Sequence, residues 1–76
     1  MLRDPVADRL WLELSHANPG VDWDQITRIR NVLLREGWHT AADIRRRSWP
    51  DLRAVRGLGQ VGARVAWNLA HPGVDP

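Results

Sequence analysis

The residues able to do chemistry in this chain are few and scattered, with one segment as the exception. His16, His39 and His71 lack the i, i+3 or i, i+4 spacing that brings two imidazoles to one metal. Ser15 and Ser48 are the only serines; neither lies in a glycine-flanked nucleophile turn, and Ser48 is better placed as a helix N-cap. The absence of cysteine excludes disulfides, thiolate zinc sites and cysteine nucleophiles together. Asp22, Asp24, Asp43 and Asp51 fall at expected helix starts, where the macrodipole favours a carboxylate without any catalytic role. The expectation is a protein that is not an enzyme and uses no cofactor or metal.

The exception is the run from Leu52 to Ala66. Gly57 and Gly59 flank one apolar residue, an apolar position precedes them, and the small Ala63 follows four residues after the second glycine. That is the pattern of a helix-hairpin-helix. Both glycines can take positive φ, so a tight turn brings backbone amides and a helix N-terminus up to a phosphate with no Cβ in the way. Gly57, Gly59, Gln60 and Gly62 are the expected backbone contacts, with Arg56 and Arg64 as nearby cations. The plainer alternative is an ordinary corner between two helices.

The charge is consistent with a polyanion partner. The net charge of +2 conceals an asymmetry. Residues 1–24 carry Arg3 and Arg9 against Asp4, Asp8, Glu13, Asp22 and Asp24, a net −3. Residues 25–71 carry nine arginines against Glu36, Asp43 and Asp51, a net +6. A basic segment of this kind is a candidate nucleic-acid footprint. Arg45-Arg46-Arg47 reads as a solvated turn that raises general phosphate affinity, since three neighbours on a helix point three ways.

The elements that must position these residues are helical. With 76 residues, 43% of them hydrophobic, one domain is the limit, and its core must come from Leu, Val, Ile, Ala and indole rings because Tyr and Phe are absent. Asp4-Pro5 opens a first helix whose Val6, Leu10, Leu14 and Ala17 share a face, and Asn18-Pro19-Gly20 ends it. Asp22 and Gln25 form a capping box, with Val21 and Ile26 as a staple, for a helix from Trp23 to about Glu36. Its apolar face is Ile26, Ile29, Val32 and Leu33, its polar stripe is Asp24, Arg28, Asn31 and Arg35, and Gly37 is its left-handed stop. Thr40 and Ser48 cap two short helices, Ala41 to about Arg47 and Trp49 to about Ala54, and the last helix runs from about Gln60 to Ala70. The tail after His71-Pro72-Gly73 is expected to pack on nothing. No apolar run reaches the length of a membrane span and the N-terminus is unlike a signal peptide, so the expected home is the cytoplasm, on the nucleoid if DNA is the partner.

From Ile26 to Leu69 the chain resembles, without a gap, the C-terminal domain of the bacterial RNA polymerase alpha subunit. The resemblance is carried by Arg28 through Leu33, Gly37 through Ile44 and Leu52 through Gly59. An arginine, an asparagine three residues on, an aspartate twelve further and a glycine sixteen beyond that recur together. It implies a compact all-α, five-helix domain of the SAM-like orthogonal type: residues 22–71 with the hairpin at 56–60, preceded by an extra helix at 4–18, all in one domain over 1–76. The chain would be a stand-alone version of that domain. In the family the domain binds the DNA minor groove and touches transcription factors and sigma. By resemblance Arg28 enters the groove, Asn31 helps hold backbone or base, and the Gly59 amide meets phosphate. Arginine suits a narrow, strongly negative minor groove.

There are departures. Where the family has a lysine–serine pair and, three residues later, a glutamate, this chain has Val61, Gly62 and Val65. Val61, Val65 and Leu69 then form an apolar stripe beside the expected core stripe of Ala63, Ala66, Trp67 and Ala70, and something is expected to cover it: the extra helix, a second copy or a protein partner.

Two functions follow. One is a non-enzymatic, transcription-linked protein that binds double-stranded DNA, A·T-rich or read by shape, through Arg28, Asn31, Arg56, Arg64 and the hairpin amides, as a monomer or weak homodimer of micromolar or weaker affinity. The other is a protein-interaction module, with RNA polymerase or a transcription factor as partner, that uses the Val61/Val65 face or the acidic first helix. Trp11, off its helix's apolar line, and Trp23, in a first helical turn, are the aromatic candidates for such a contact.

Overall fold

The computed structural model describes residues 5–76, with side chains from Arg9 onward. The N-cap expected of Asp4 and the side chain of Val6 lie outside the described residues. Five helices make up the described chain: α1 Pro5–Ala17, α2 Trp23–Arg35, α3 Ala41–Arg45, α4 Trp49–Arg53 and α5 Gly59–Ala70. The fold is all-α and compact. None of these helices is long and apolar enough to cross a membrane.

Local capping chemistry sets most boundaries. Thr40 Oγ1 accepts from the Asp43 amide while Asp43 Oδ2 accepts from the Thr40 amide, and Ser48 and Asp51 repeat the exchange. These are complete capping boxes. The box expected at Asp22 is half made: Asp22 Oδ1 accepts from the Gln25 amide at 2.8 Å, with no return bond to the Gln25 side chain among the described residues. Gln25 offers a neutral amide oxygen, a weaker acceptor than the carboxylates of Asp43 and Asp51. α2 stops as its glycine predicts. Gly37 has φ +85°, its amide donates to the Leu34 carbonyl and the Trp38 amide to the Leu33 carbonyl, which satisfies the last turn.

α5 packs against all four other helices and so forms the middle of the fold. Its buried positions are Gly62, Ala63, Val65, Ala66 and Ala70, small enough for several backbones to approach at once. Around it the core takes Leu10 and Leu14 from α1, Ile26, Ile29, Val32 and Leu33 from α2, then Ile44, Leu52, Val55 and Leu58.

Three expectations are corrected here. Val65 is not part of an exposed stripe: it is 3% exposed, while Val61 is 56% exposed and Leu69 is half-buried against the core. The extra helix α1 lies against α5, and of the covers proposed for this face it is the one present. Asn18, expected only to end α1, is buried there; its Nδ2 donates to the carbonyls of Leu14 at 2.9 Å and Val65 at 3.1 Å, and its Oδ1 accepts from Asn68 at 2.9 Å. The C-terminal tail, expected to pack on nothing, folds back on α5. Trp67 Nε1 donates to the Val74 carbonyl at 2.7 Å, and Arg64 pairs with Asp75 at 3.2 Å. An indole N–H near the end of a helix needs an acceptor, and the returning backbone provides it.

Two measurements check this account. Replacing Asn18 by Ala leaves the Leu14 carbonyl at the end of α1 and the Asn68 amide without their partners and removes the link to α5, and chemical denaturation should show a loss of about 2–3 kcal/mol. The second concerns pH. The His39 amide donating to the Asp43 carboxylate, aided by Thr40 and Arg46, outweighs the opposing effect of desolvation and holds the Asp43 pKa below its ordinary value. A depressed carboxyl pKa stabilises the fold above the unfolded value of about 3.9, and this is lost as pH falls through the folded value. Asp43→Asn should therefore melt below wild type at neutral pH, with the gap closing as the pH is taken below the ordinary carboxylate range.

Candidate functional site

The polar stripe of α2 and the Gly57–Gly59 turn are far apart in sequence and adjacent in space. Arg35 Nη2 donates to the Arg56 carbonyl. At Gly57 an added Cβ would stand 3.6 Å from Arg35 Nη2 and 3.8 Å from Val32 Cγ2, so the turn lies against the C-terminal half of α2. Gly57 and Gly59 take φ of +88° and +69°, the left-handed conformations that their spacing predicts.

Between them, Leu58 turns inward to the core at 6% exposure and its helical backbone starts α5 with no side-chain cap. The first amides of a helix have no intrahelical partner. Here they belong to Gly59, Gln60 and Val61, all exposed. Gly62, expected among the phosphate contacts, is buried instead. A Cβ there would meet Leu58 Cγ and Cδ1 at 2.9 Å and Ile29 Cγ1 at 3.5 Å. Its smallness makes room for the Leu58 side chain one turn earlier, which packs into the core beside Ile29 of α2.

Of the remaining expected site residues, Arg28, Asn31 and Arg56 are exposed. Arg28 makes no ion pair or side-chain hydrogen bond among the described residues. Arg64 is exposed but held by Asp75. Asn31 is engaged by a residue the sequence reading passed over: Arg30 donates to Asn31 Oδ1 from Nε at 3.2 Å and from Nη2 at 3.0 Å. The Arg-Asn dipeptide was visible, but side-chain direction was not. The solvated reading of Arg45-Arg46-Arg47 is corrected in part. Arg45 Nε donates to the Ala70 carbonyl at 3.1 Å, closing the end of α5, and the Arg47 guanidinium lies 5.0 Å from the Trp38 ring centre.

The two aromatic candidates also separate. Trp11 is half-buried and donates from Nε1 to Thr27 Oγ1 at 2.9 Å, which ties α1 to α2. Trp23 meets it edge to face, with ring centres 6.0 Å apart, yet is 74% exposed.

Comparison with known proteins yields no match, whether among protein-family models, curated proteins or solved structures.

The packing role of Gly62 has a direct test. Alanine gains about 1 kcal/mol of helix propensity over glycine, but overpacking against Leu58 costs about 1–3 kcal/mol. Gly62→Ala should be destabilised by about 1 kcal/mol net, with amide shifts spreading from Leu58 to Val61 in the NMR spectrum.

Proposed function

We propose that this chain is a small DNA-binding module, with no catalytic step, that grips double-stranded DNA through the backbone and the minor groove. The observation that carries the reading is the turn that Arg35 ties to α2: it sets the uncapped start of α5 against the helix that also exposes Arg28 and Asn31. A helix N-terminus and an arginine on adjoining elements suit a phosphate and the adjoining narrow groove. The net +6 of residues 25–71 supports it, because phosphate contacts dominate affinity. So does the resemblance to the alpha-subunit domain, under which the turn is a helix-hairpin-helix and the setting is transcription. The valine at position 61 puts an apolar side chain where that family has a lysine, so the amides there act without a flanking cation.

Trp23 favours a second reading, a protein contact on the acidic side of the molecule, because so exposed an indole is costly unless used. The valine face is a weaker basis for it now that Val65 lies in the core.

A titration with duplex DNA followed by NMR separates the two. Shifts are expected at Arg28, Asn31 and Gly57 through Val61. Arg28→Ala should weaken binding by about 1–3 kcal/mol and reduce the slope of log affinity against log salt by about one. No shifts in this region at low salt would refute the DNA reading, and Trp23 would become the residue to follow.

A further inference from the structure

We infer that Arg30 is a positioning residue that holds Asn31 as a hydrogen-bond donor and so sets the discrimination of A·T from G·C pairs; the inference rests on the duplex reading above. Arg30 grips Asn31 Oδ1 through two nitrogens, at 3.2 and 3.0 Å. A guanidinium has five N–H groups and no acceptor, so it can meet only the oxygen end of a carboxamide. The orientation of Asn31 is therefore dictated by chemistry. Successive residues on a helix do not normally face each other, so the contact means that Arg30 bends across toward the polar stripe.

The consequence lies in what Asn31 can still do. With its oxygen engaged, its NH2 group is what remains for a ligand, and Arg28, one turn earlier, is also donor-only. In the minor groove A·T and T·A pairs display only acceptors, adenine N3 and thymine O2, whereas a G·C pair adds the guanine N2 amino donor. Two donors aimed at the groove floor are satisfied by A·T and opposed by that amino group. An Asn31 free of Arg30 can flip its carboxamide and accept from guanine. Arg30 thus acts through Asn31 and need not touch a base.

The test uses the whole chain and three duplexes of equal length, with A·T, G·C or I·C pairs at the centre. Inosine lacks the N2 amino group, so I·C presents an A·T-like minor groove. Wild type should bind A·T and I·C alike and G·C about tenfold more weakly. Arg30→Lys keeps the charge but loses the fork. It should keep A·T affinity and melting temperature while the A·T to G·C ratio falls to about threefold or less, and Arg30→Ala should show the same lowered ratio at lower affinity throughout. A ratio unchanged in both variants, or I·C bound as weakly as G·C by wild type, would overturn the role of Arg30 and leave the duplex reading standing. Wild type binding none of the three at low salt would overturn the duplex reading, and this inference with it.

Discussion

Gly62 has no room for a side chain, and much of the molecule follows from that. A Cβ there would press into Leu58 at 2.9 Å and come within 3.5 Å of Ile29. Glycine at this point, continued by Ala63, Ala66 and Ala70, gives α5 a narrow inward face, so that one helix can touch four others. The same smallness seats Leu58 in the core and turns the exposed start of α5 outward beside α2. Stability and the proposed site are therefore coupled. The residue that lets the core close also sets where the amides of Gly59, Gln60 and Val61 stand relative to Arg28 and Asn31.

α1 plays a different part. It contributes nothing to the candidate site, yet it is integral to the fold, because Leu10 and Leu14 are fully buried and Asn18 bonds across to Val65 and Asn68. The carboxamide of Asn18 does what an apolar residue could not: it gives the Leu14 carbonyl at the end of α1 a donor and the Asn68 amide an acceptor, and so ties α1 to α5. Trp11 adds a second tie through Thr27. This helix carries two acidic residues, Asp8 and Glu13, against Arg9. It covers an apolar side of α5 and leaves Arg28, Asn31 and Arg56 exposed.

The arginine count overstates the number of free cations. Arg35 is spent on the Arg56 carbonyl, Arg45 on the Ala70 carbonyl, Arg30 on Asn31 and Arg64 on Asp75, while Arg47 and Arg53 lie over Trp38 and Trp49. A guanidinium that caps a helix or covers an indole still contributes to the long-range field. Arg30, Arg35, Arg45 and Arg64, however, each have hydrogen bonds committed within the fold. Among the described residues the side chains of Arg28, Arg46 and Arg56 make no hydrogen bond or ion pair, and Arg28 and Arg56 belong to the elements that form the candidate site.

The sequence by itself determined the helices, their ends and the turn. Capping pairs such as Thr40 with Asp43 act over three residues, the apolar face of α2 repeats at the helical period, and Gly37, Gly57 and Gly59 are needed wherever φ is positive. All of these are local, so they can be read along the chain. Tertiary structure decided the rest. Whether Val65 faced solvent depended on where α1 docked. Whether Asn18 was a terminator or a bridge depended on a carbonyl 47 residues away. Whether Gly62 met a ligand or a leucine depended on which way Leu58 turned, and Asn31 became a fixed donor only when Arg30 leaned across to it. Periodicity says which residues share a face; it carries no information about what covers that face or which way a long side chain turns.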